Sequence, residues 1–236
     1  MLKVTRLSKS FSKNSLSFLS KDNKKIPILK NISFNALSGE TIAILGPNGC
    51  GKTTLLKMIA GLLISDSGFI TDENGNKLSN SKIAMVNSND RSFFWRLSVI
   101  ENLRFFCELS NKNSSIKIIE ILESLKLQNK INTPFMFLSY GERKKVSIAR
   151  ALLKDCKILL LDEITNSLDI SAKKLVTESI KSLMKEGKVK LILFATHSLD
   201  EVMSLSNRLL FIEKNKILYD LKINDKTTLD DIEALF

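Results

Sequence analysis

The densest chemistry in the chain lies in Gly46-Pro47-Asn48-Gly49-Cys50-Gly51-Lys52-Thr53-Thr54, which matches G-x-x-x-x-G-K-[ST]. An apolar run of β type, Thr41-Ile42-Ala43-Ile44-Leu45, precedes it, and a helical pattern, Leu55 to Ala60, follows. Strand, glycine-rich turn and helix in that order make a phosphate cradle. Glycines let successive backbone N–H groups turn inward around an anion, and the helix N-terminus adds its partial positive charge. Lys52 has the reach for the β- and γ-phosphates of a nucleotide such as ATP, and the Thr53 hydroxyl is a hard oxygen donor suited to Mg²⁺.

A second candidate is Asp162-Glu163, at the end of the apolar run Lys157 to Leu161. The carboxyl end of a buried parallel strand is where an α/β sheet presents reactive groups. Neighbouring strand residues point to opposite faces, so the two carboxylates suit different tasks: Asp162 holding Mg²⁺ through water and Glu163 polarising an attacking water.

The bulk composition excludes several alternatives. The 236 residues fit one large α/β domain or a core with a small insert, and 44% hydrophobic content fits a packed globule. No apolar run approaches the ~20 residues that cross a bilayer. The start, Met1 to Leu7, lacks the apolar core of a signal peptide, so a cytoplasmic location is expected. The three cysteines, Cys50, Cys107 and Cys156, have neither metal nor disulfide spacing, and the single histidine, His197, makes no metal site by itself. A net charge of +11 is spread over scattered lysines with no basic block or basic–aromatic alternation, so no nucleic-acid partner is expected.

The elements that position these groups follow from periodicity. Strands are expected over 2–7 and 26–34, with Pro27 placing the second near a sheet edge. A Ser-, Lys- and Asn-rich surface loop is expected over 12–25. After the cradle helix, Gly61 marks a C-cap, followed by the turn 65–68, a short strand 69–70, the turn 72–76 and a strand 82–86. A helical insert is expected from Ser98, where Ser98 and Glu101 have capping-box spacing. A helix over 115–127 would bury Ile116, Ile119, Leu122 and Leu125 to Leu127. Further helices are expected over 143–153, 171–187 and 229–236, and strands over 190–195, 208–213 and 216–220.

Leu138-Ser139-Tyr140-Gly141-Glu142, followed by Arg143 and by Ala149-Arg150-Ala151-Leu152, resembles the LSGGQ-type signature of ATP-binding cassette (ABC) ATPases. The cradle, helical insert, signature, Asp162-Glu163, Ser167-Leu168-Asp169 and Thr196-His197 follow in the family's order. The resemblance implies a P-loop NTPase core, a mixed sheet with a parallel centre and an antiparallel β edge, carrying an inserted α-helical subdomain. The core would cover about 1–87 and 155–236, and the insert about 88–154. It also implies a head-to-tail dimer, identical or with a paralogous cassette. Each ATP would be held by Lys52, Thr53 and the loop amides from Gly46 to Thr54 of one subunit, and capped by Ser139 and Gly141 of the other. Asp169 matches the aspartate that crosses the dimer, and His197 the histidine that senses the γ-phosphate. Phe11 falls where the family stacks an aromatic on adenine, with core packing as the alternative.

Three departures stand out. The family's Mg²⁺-binding glutamine is absent after Ile83 to Val86; Ser88 is nearest in register, with Asn89 next. Ile164 stands where proline is usual. Cys50 stands where alanine is common, and its position beside Lys52 at a helix N-terminus predicts a lowered thiol pKa. Arg91 to Leu103, with Phe93-Phe94-Trp95, looks like the corresponding segment of exporter ATPases of the drug, lipid and polysaccharide type. These rings would line a groove for a membrane subunit or pack the insert onto the core. An exporter ATPase on the cytoplasmic face, acting through an integral membrane permease on a separate chain, is the function the resemblance implies.

Overall fold

The computed structural model describes residues 1–12, 25–87, 92–109, 115–166, 168–224 and 226–234. The expected loop over 12–25 lies outside them but for its end residues, and Ser88, Asn89, Arg91 and Ser167 lie outside them altogether. The chain forms two compact units, Met1–Ser79 with Leu193–Phe236, and Asn80–Ile192.

In the first unit, β1 (Leu2–Ser12) pairs antiparallel with both β2 (Lys25–Ala36) and β4 (Ser67–Thr71), giving the order β2-β1-β4. Pro27 thus sits on an edge strand, where its missing N–H costs no ladder bond. The strand β3 (Thr41–Leu45) runs parallel to β8 (Arg208–Glu213), which pairs antiparallel with β9 (Lys216–Lys222). All five residues of β3 are buried, as a continuous apolar run requires of a strand covered on both faces. Helix α1 (Lys52–Ile59) buries Leu55, Leu56, Met58 and Ile59. Each fully buried large side chain of this kind contributes about 1.5–3 kcal/mol. Its C-cap is Ala60, one residue before the expected Gly61, and the Leu62 N–H closes back on the Lys57 carbonyl at 2.9 Å.

The start of β3 is fastened by polar contacts. The Arg208 guanidinium forks onto Asp220 at 2.7 and 2.8 Å and also donates to Glu40 and to the Asn35 carbonyl. Asn207 Oδ1 accepts from the Thr41 N–H at 2.9 Å. The phosphate-cradle loop therefore leaves a strand fixed in depth and register.

In the second unit, β5 (Ile83–Asn87) runs parallel to β6 (Ile158–Asp162), with helices α2 (Val99–Leu109), α3 (Ser115–Ser124), α4 (Tyr140–Leu152) and α5 (Ile170–Lys185). The strand β7 (Leu191–Thr196) carries the chain back to the first unit, which ends with helices α6 (Leu199–Leu205) and α7 (Leu229–Glu233). The Ser98–Glu101 capping box forms at α2, with Ser98 N–H to Glu101 at 2.7 Å and Glu101 N–H to Ser98 at 3.3 Å. Two expectations need correction. Helix α3 ends at Ser124, and its buried side is Ile118, Ile121 and the expected Leu122, continued by the expected Leu125, with Leu127 also buried beyond it; Ile119 is half-buried, and the side chain of Ile116 lies outside the described ones. That i, i+3, i+4, i+7 stripe follows the 3.6-residue period better than the expected set. Helix α4 begins at Tyr140, not Arg143, because Ser139 and Glu142 close a capping box. No helix among the described residues is long and apolar enough to cross a membrane.

Candidate nucleotide site

The first unit presents the phosphate cradle. Between β3 and α1, Pro47, Asn48 and Gly49 form the exposed tip, while Gly46, Cys50 and Gly51 are buried. Gly46 has φ +155, and a Cβ there would lie 2.2 Å from the Ile212 carbonyl oxygen. Gly49 has φ +81 with open space around it. Backbone packing thus fixes the loop's base, and a left-handed turn shapes its tip. Lys52 is 5% exposed, and its ammonium donates to the carbonyls of Gly46 at 2.8 Å and Pro47 at 3.1 Å. This cation is therefore held across the mouth of the loop. Thr53 and Thr54 are half-buried in the first turn of α1, which carries no acidic residue and no side-chain cap. The partial positive charge of this helix N-terminus is therefore not offset by an acidic side chain of its own first turn.

His197 is exposed just beyond β7. Its turn is clamped by the Thr196 hydroxyl, which donates to Glu201 at 2.7 Å and accepts from the Ser198 N–H at 3.0 Å. Glu201 is 5% exposed. Phe11 is 43% exposed, with the Lys9 ammonium 5.5 Å from its ring centroid, so the core-packing alternative for Phe11 does not hold.

The second unit presents the carboxylates and the signature. Asp162 is the last residue of β6, half-buried. Glu163 lies beyond the strand with φ +51, and Asn166 Nδ2 donates to its Oε2 at 2.9 Å. The expectation that both carboxylates alternate along one strand is corrected here: a left-handed residue, not strand alternation, sets the direction of Glu163. A non-glycine residue held there is strained by about 1–2 kcal/mol, and such residues gather at working sites. Ser139 caps α4, accepting from the Glu142 N–H at 3.3 Å. Gly141 is buried, and a Cβ on it would stand 3.0 Å from the Ala172 Cβ, so α4 and α5 approach closely at their starts. Asp169 is itself a cap: its Oδ1 accepts from the Ala172 N–H at 2.8 Å.

These donor sets suit a magnesium nucleotide. Glycines at 46, 49 and 51 let the loop backbone approach an anion closely, and Thr53 in the first unit and Asp162 in the second are each the kind of hard oxygen Mg²⁺ prefers. No cluster of three or more His, Cys, Asp or Glu side chains that could hold a metal occurs among the described residues.

The family model described as ABC transporter matches residues 29–166, more than half of the chain. The chain belongs to the ABC transporter family. It is 37% identical over 210 residues to an uncharacterized ABC transporter ATP-binding protein, YdbJ of Bacillus subtilis, covering 85% of this chain and 67% of that protein. It is 35% identical to the Nod factor export ATP-binding protein I of Rhizobium johnstonii, covering 80% and 62% of the two chains. It is 34% identical to the aliphatic sulfonates import ATP-binding protein SsuB of Bacillus cereus, covering 83% and 77%. Among solved structures, cbiO1 from Clostridium perfringens, part of the transporter complex cbiONQ, superposes with a TM-score of 0.82 at 24% identity, covering 99% and 93% of the chains. A dimeric post-hydrolysis cassette bound to ADP and Pi gives 0.77 at 24% identity, covering 95% and 99%. The fold is that of the ABC P-loop ATPases, and the protein is an ATP-binding ATPase of that family.

Two features of this ABC ATPase differ from, or escape, the sequence reading. Cys50 is 8% exposed, and burial pushes its thiol above the ordinary 9.0 despite the charge of Lys52, so the expected lowered pKa is wrong. Asn102 belongs to no motif in the sequence, yet it is fully buried in α2 and organises the aromatic segment. Its Oδ1 accepts from the Phe94 N–H at 2.8 Å, and its Nδ2 donates to the carbonyls of Phe94, Leu97 and Ser98 at 3.0–3.1 Å. A lone polar residue on the apolar side of α2 is the signal that marks it. The three rings it presents divide in two. Phe93 is buried and stacked on Phe135 at 4.5 Å, whereas Phe94 and Trp95 are 45% and 46% exposed. Arg143 lies over the Trp95 ring at 4.5 Å.

Proposed function

We propose that this ABC ATPase is the nucleotide-binding subunit of an exporter, working as a dimer of cassettes on the cytoplasmic face of a membrane through an integral permease on a separate chain. The carrying observation is the fixed cradle, with Lys52 held across the mouth of the Gly46–Gly51 loop at the N-terminus of an uncapped helix. In this reading the backbone N–H groups of 46–54 surround the β- and γ-phosphates, and Lys52 exchanges its two carbonyl partners for phosphate oxygens. The exposed ring of Phe11 stacks on adenine. Thr53, Asp162 and, in place of the family's glutamine, Ser88 would each offer an oxygen to Mg²⁺, which would neutralise phosphate charge when bound. Glu163, fixed by Asn166, orients and polarises the attacking water, and His197 contacts the γ-phosphate.

The second cassette supplies Ser139 and Gly141, with Asp169 at the junction. Closure on ATP and reopening after hydrolysis then pass through the helical segment of about 88–154 to the permease. The exposed pair Phe94 and Trp95, backed by the buried Phe93, supports docking of a membrane subunit there. Export rests on the resemblance of the 91–103 segment.

The test is recovery of tagged Glu163→Gln protein from gently solubilised native membranes. The reading predicts a stoichiometric polytopic membrane protein in the eluate. Recovery only from the soluble fraction, alone or with soluble partners, would instead point to an ABC ATPase driving a non-transport process. Transport direction is read separately, from ATP-driven efflux or uptake in vesicles carrying the purified complex.

A further inference from the structure

The fifth position of the signature holds Glu142, where the LSGGQ pattern has a neutral glutamine. Its carboxylate is fully employed. Oε2 accepts from the Ser139 N–H at 2.8 Å, and Oε1 lies 3.2 Å from the Lys130 ammonium. Partial burial pushes this carboxyl up, but the Ser139 N–H and Lys130 together outweigh that and hold it below its ordinary value. A permanent negative charge therefore sits in the first turn of α4, beside the serine that the dimer reading assigns to a partner's γ-phosphate.

For folding, that charge is favourable, since it complements the helix dipole and completes the cap. For binding a polyphosphate it is unfavourable, because it opposes the same N-terminal field that attracts an anion. An amide would close the box without the charge. Lys130, the last residue of the short turn Gln128–Lys130, supplies the missing positive charge from outside the helix.

We propose that Lys130 is a positioning residue for the nucleotide held by a second copy of the cassette: it neutralises Glu142, so that a carboxylate-built cap at Ser139 can accept a polyphosphate. This inference rests on the dimer reading given above.

The experiment titrates ATP against dimer formation, measured by light scattering, in the Glu163→Gln background. A partly exposed ion pair changes an equilibrium by roughly threefold, and a two-fold dimer holds the pair twice. The overall dimer constant then falls by roughly ninefold, and because two nucleotides bind per dimer, Lys130→Gln should raise the half-maximal ATP concentration by the square root of that, about threefold. Lys130→Arg should keep the parental value, and Lys130→Gln with Glu142→Gln should return close to it. Binding of a fluorescent ATP analogue to the separated Lys130→Gln subunit should match the parent. A purely structural ion pair would not be rescued by removing its second partner. Parental behaviour of Lys130→Gln, or failure of Glu142→Gln to restore dimerisation, overturns the inference while leaving the dimer intact. If Glu163→Gln itself never dimerises with ATP, the dimer reading falls, and this inference with it.

Discussion

Two glycines of one loop give a sharp test of how the cradle is built. A methyl group added at Gly46 would stand 2.2 Å from the Ile212 carbonyl oxygen and 2.8 Å from the Cys50 sulfur. Ile212 belongs to β8, and the atom in the way is backbone, which cannot swing aside as the end of a flexible side chain can. Gly46→Ala should cost about 1–3 kcal/mol from its φ of +155. Forced packing adds about 1–3 kcal/mol, for a sum of about 2–6 kcal/mol. Gly49→Ala meets nothing within 4 Å at φ +81, so only the left-handed conformation counts against it, about 1–2 kcal/mol. With a urea slope of about 3 kcal/mol/M, the midpoint should fall by roughly 0.7–2 M for Gly46→Ala and by no more than about 0.7 M for Gly49→Ala. Equilibrium unfolding without nucleotide, followed by circular dichroism, reads both. Coincident midpoints for the two variants would refute the claim that contact with β8 fixes the base of the cradle.

Three further outcomes follow from buried groups. Asn102→Ala removes four hydrogen bonds from the Phe94–Ser98 segment; at about 1 kcal/mol each, it should lower stability by roughly 2–5 kcal/mol and raise proteolysis near Trp95, and a silent variant would contradict its organising role. Cys50 should be alkylated far more slowly at pH 7 in the folded protein than in urea, with the rate climbing as pH approaches and passes 9.0; rapid labelling of the Cys50 peptide at pH 7 would contradict its burial. Burial pushes the Cys156 thiol from 9.0 up to about 11. Its folded pKa is raised, so its contribution is complete below pH 9 and lost as pH rises towards 11, a difference of about 2–3 kcal/mol. Cys156→Ala should flatten the stability profile in that window, and an unchanged slope would exclude the thiol as its source.

Some parts of this molecule are written locally and others are not. Strand β3 falls on the expected residues Thr41 to Leu45, because an unbroken apolar run ending in glycine leaves few other conformations. The capping boxes at Ser98 and Ser139 are likewise readable, since their partners lie three residues apart. Hydrophobic periodicity sets the start of α4 too late because its first turn is polar, although that turn contains the cap. The direction of Glu163 depends on a single φ of +51 that no periodicity encodes. Cys50 shows the same limit: spacing beside Lys52 argues for a reactive thiolate, while burial, a property of the whole packed unit, reverses the sign. Asn102 works through contacts four to eight residues away whose geometry exists only once the segment has folded.

The central claim is hydrolysis of ATP with Glu163 polarising the water. The most direct measurement is steady-state phosphate release by the purified protein and by Glu163→Gln at saturating magnesium ATP. Removing a general base of this kind costs about 10²–10⁴-fold in turnover, so the variant should fall by at least about a hundredfold while still binding ATP. Hydrolysis by Glu163→Gln at the parental rate would contradict the account.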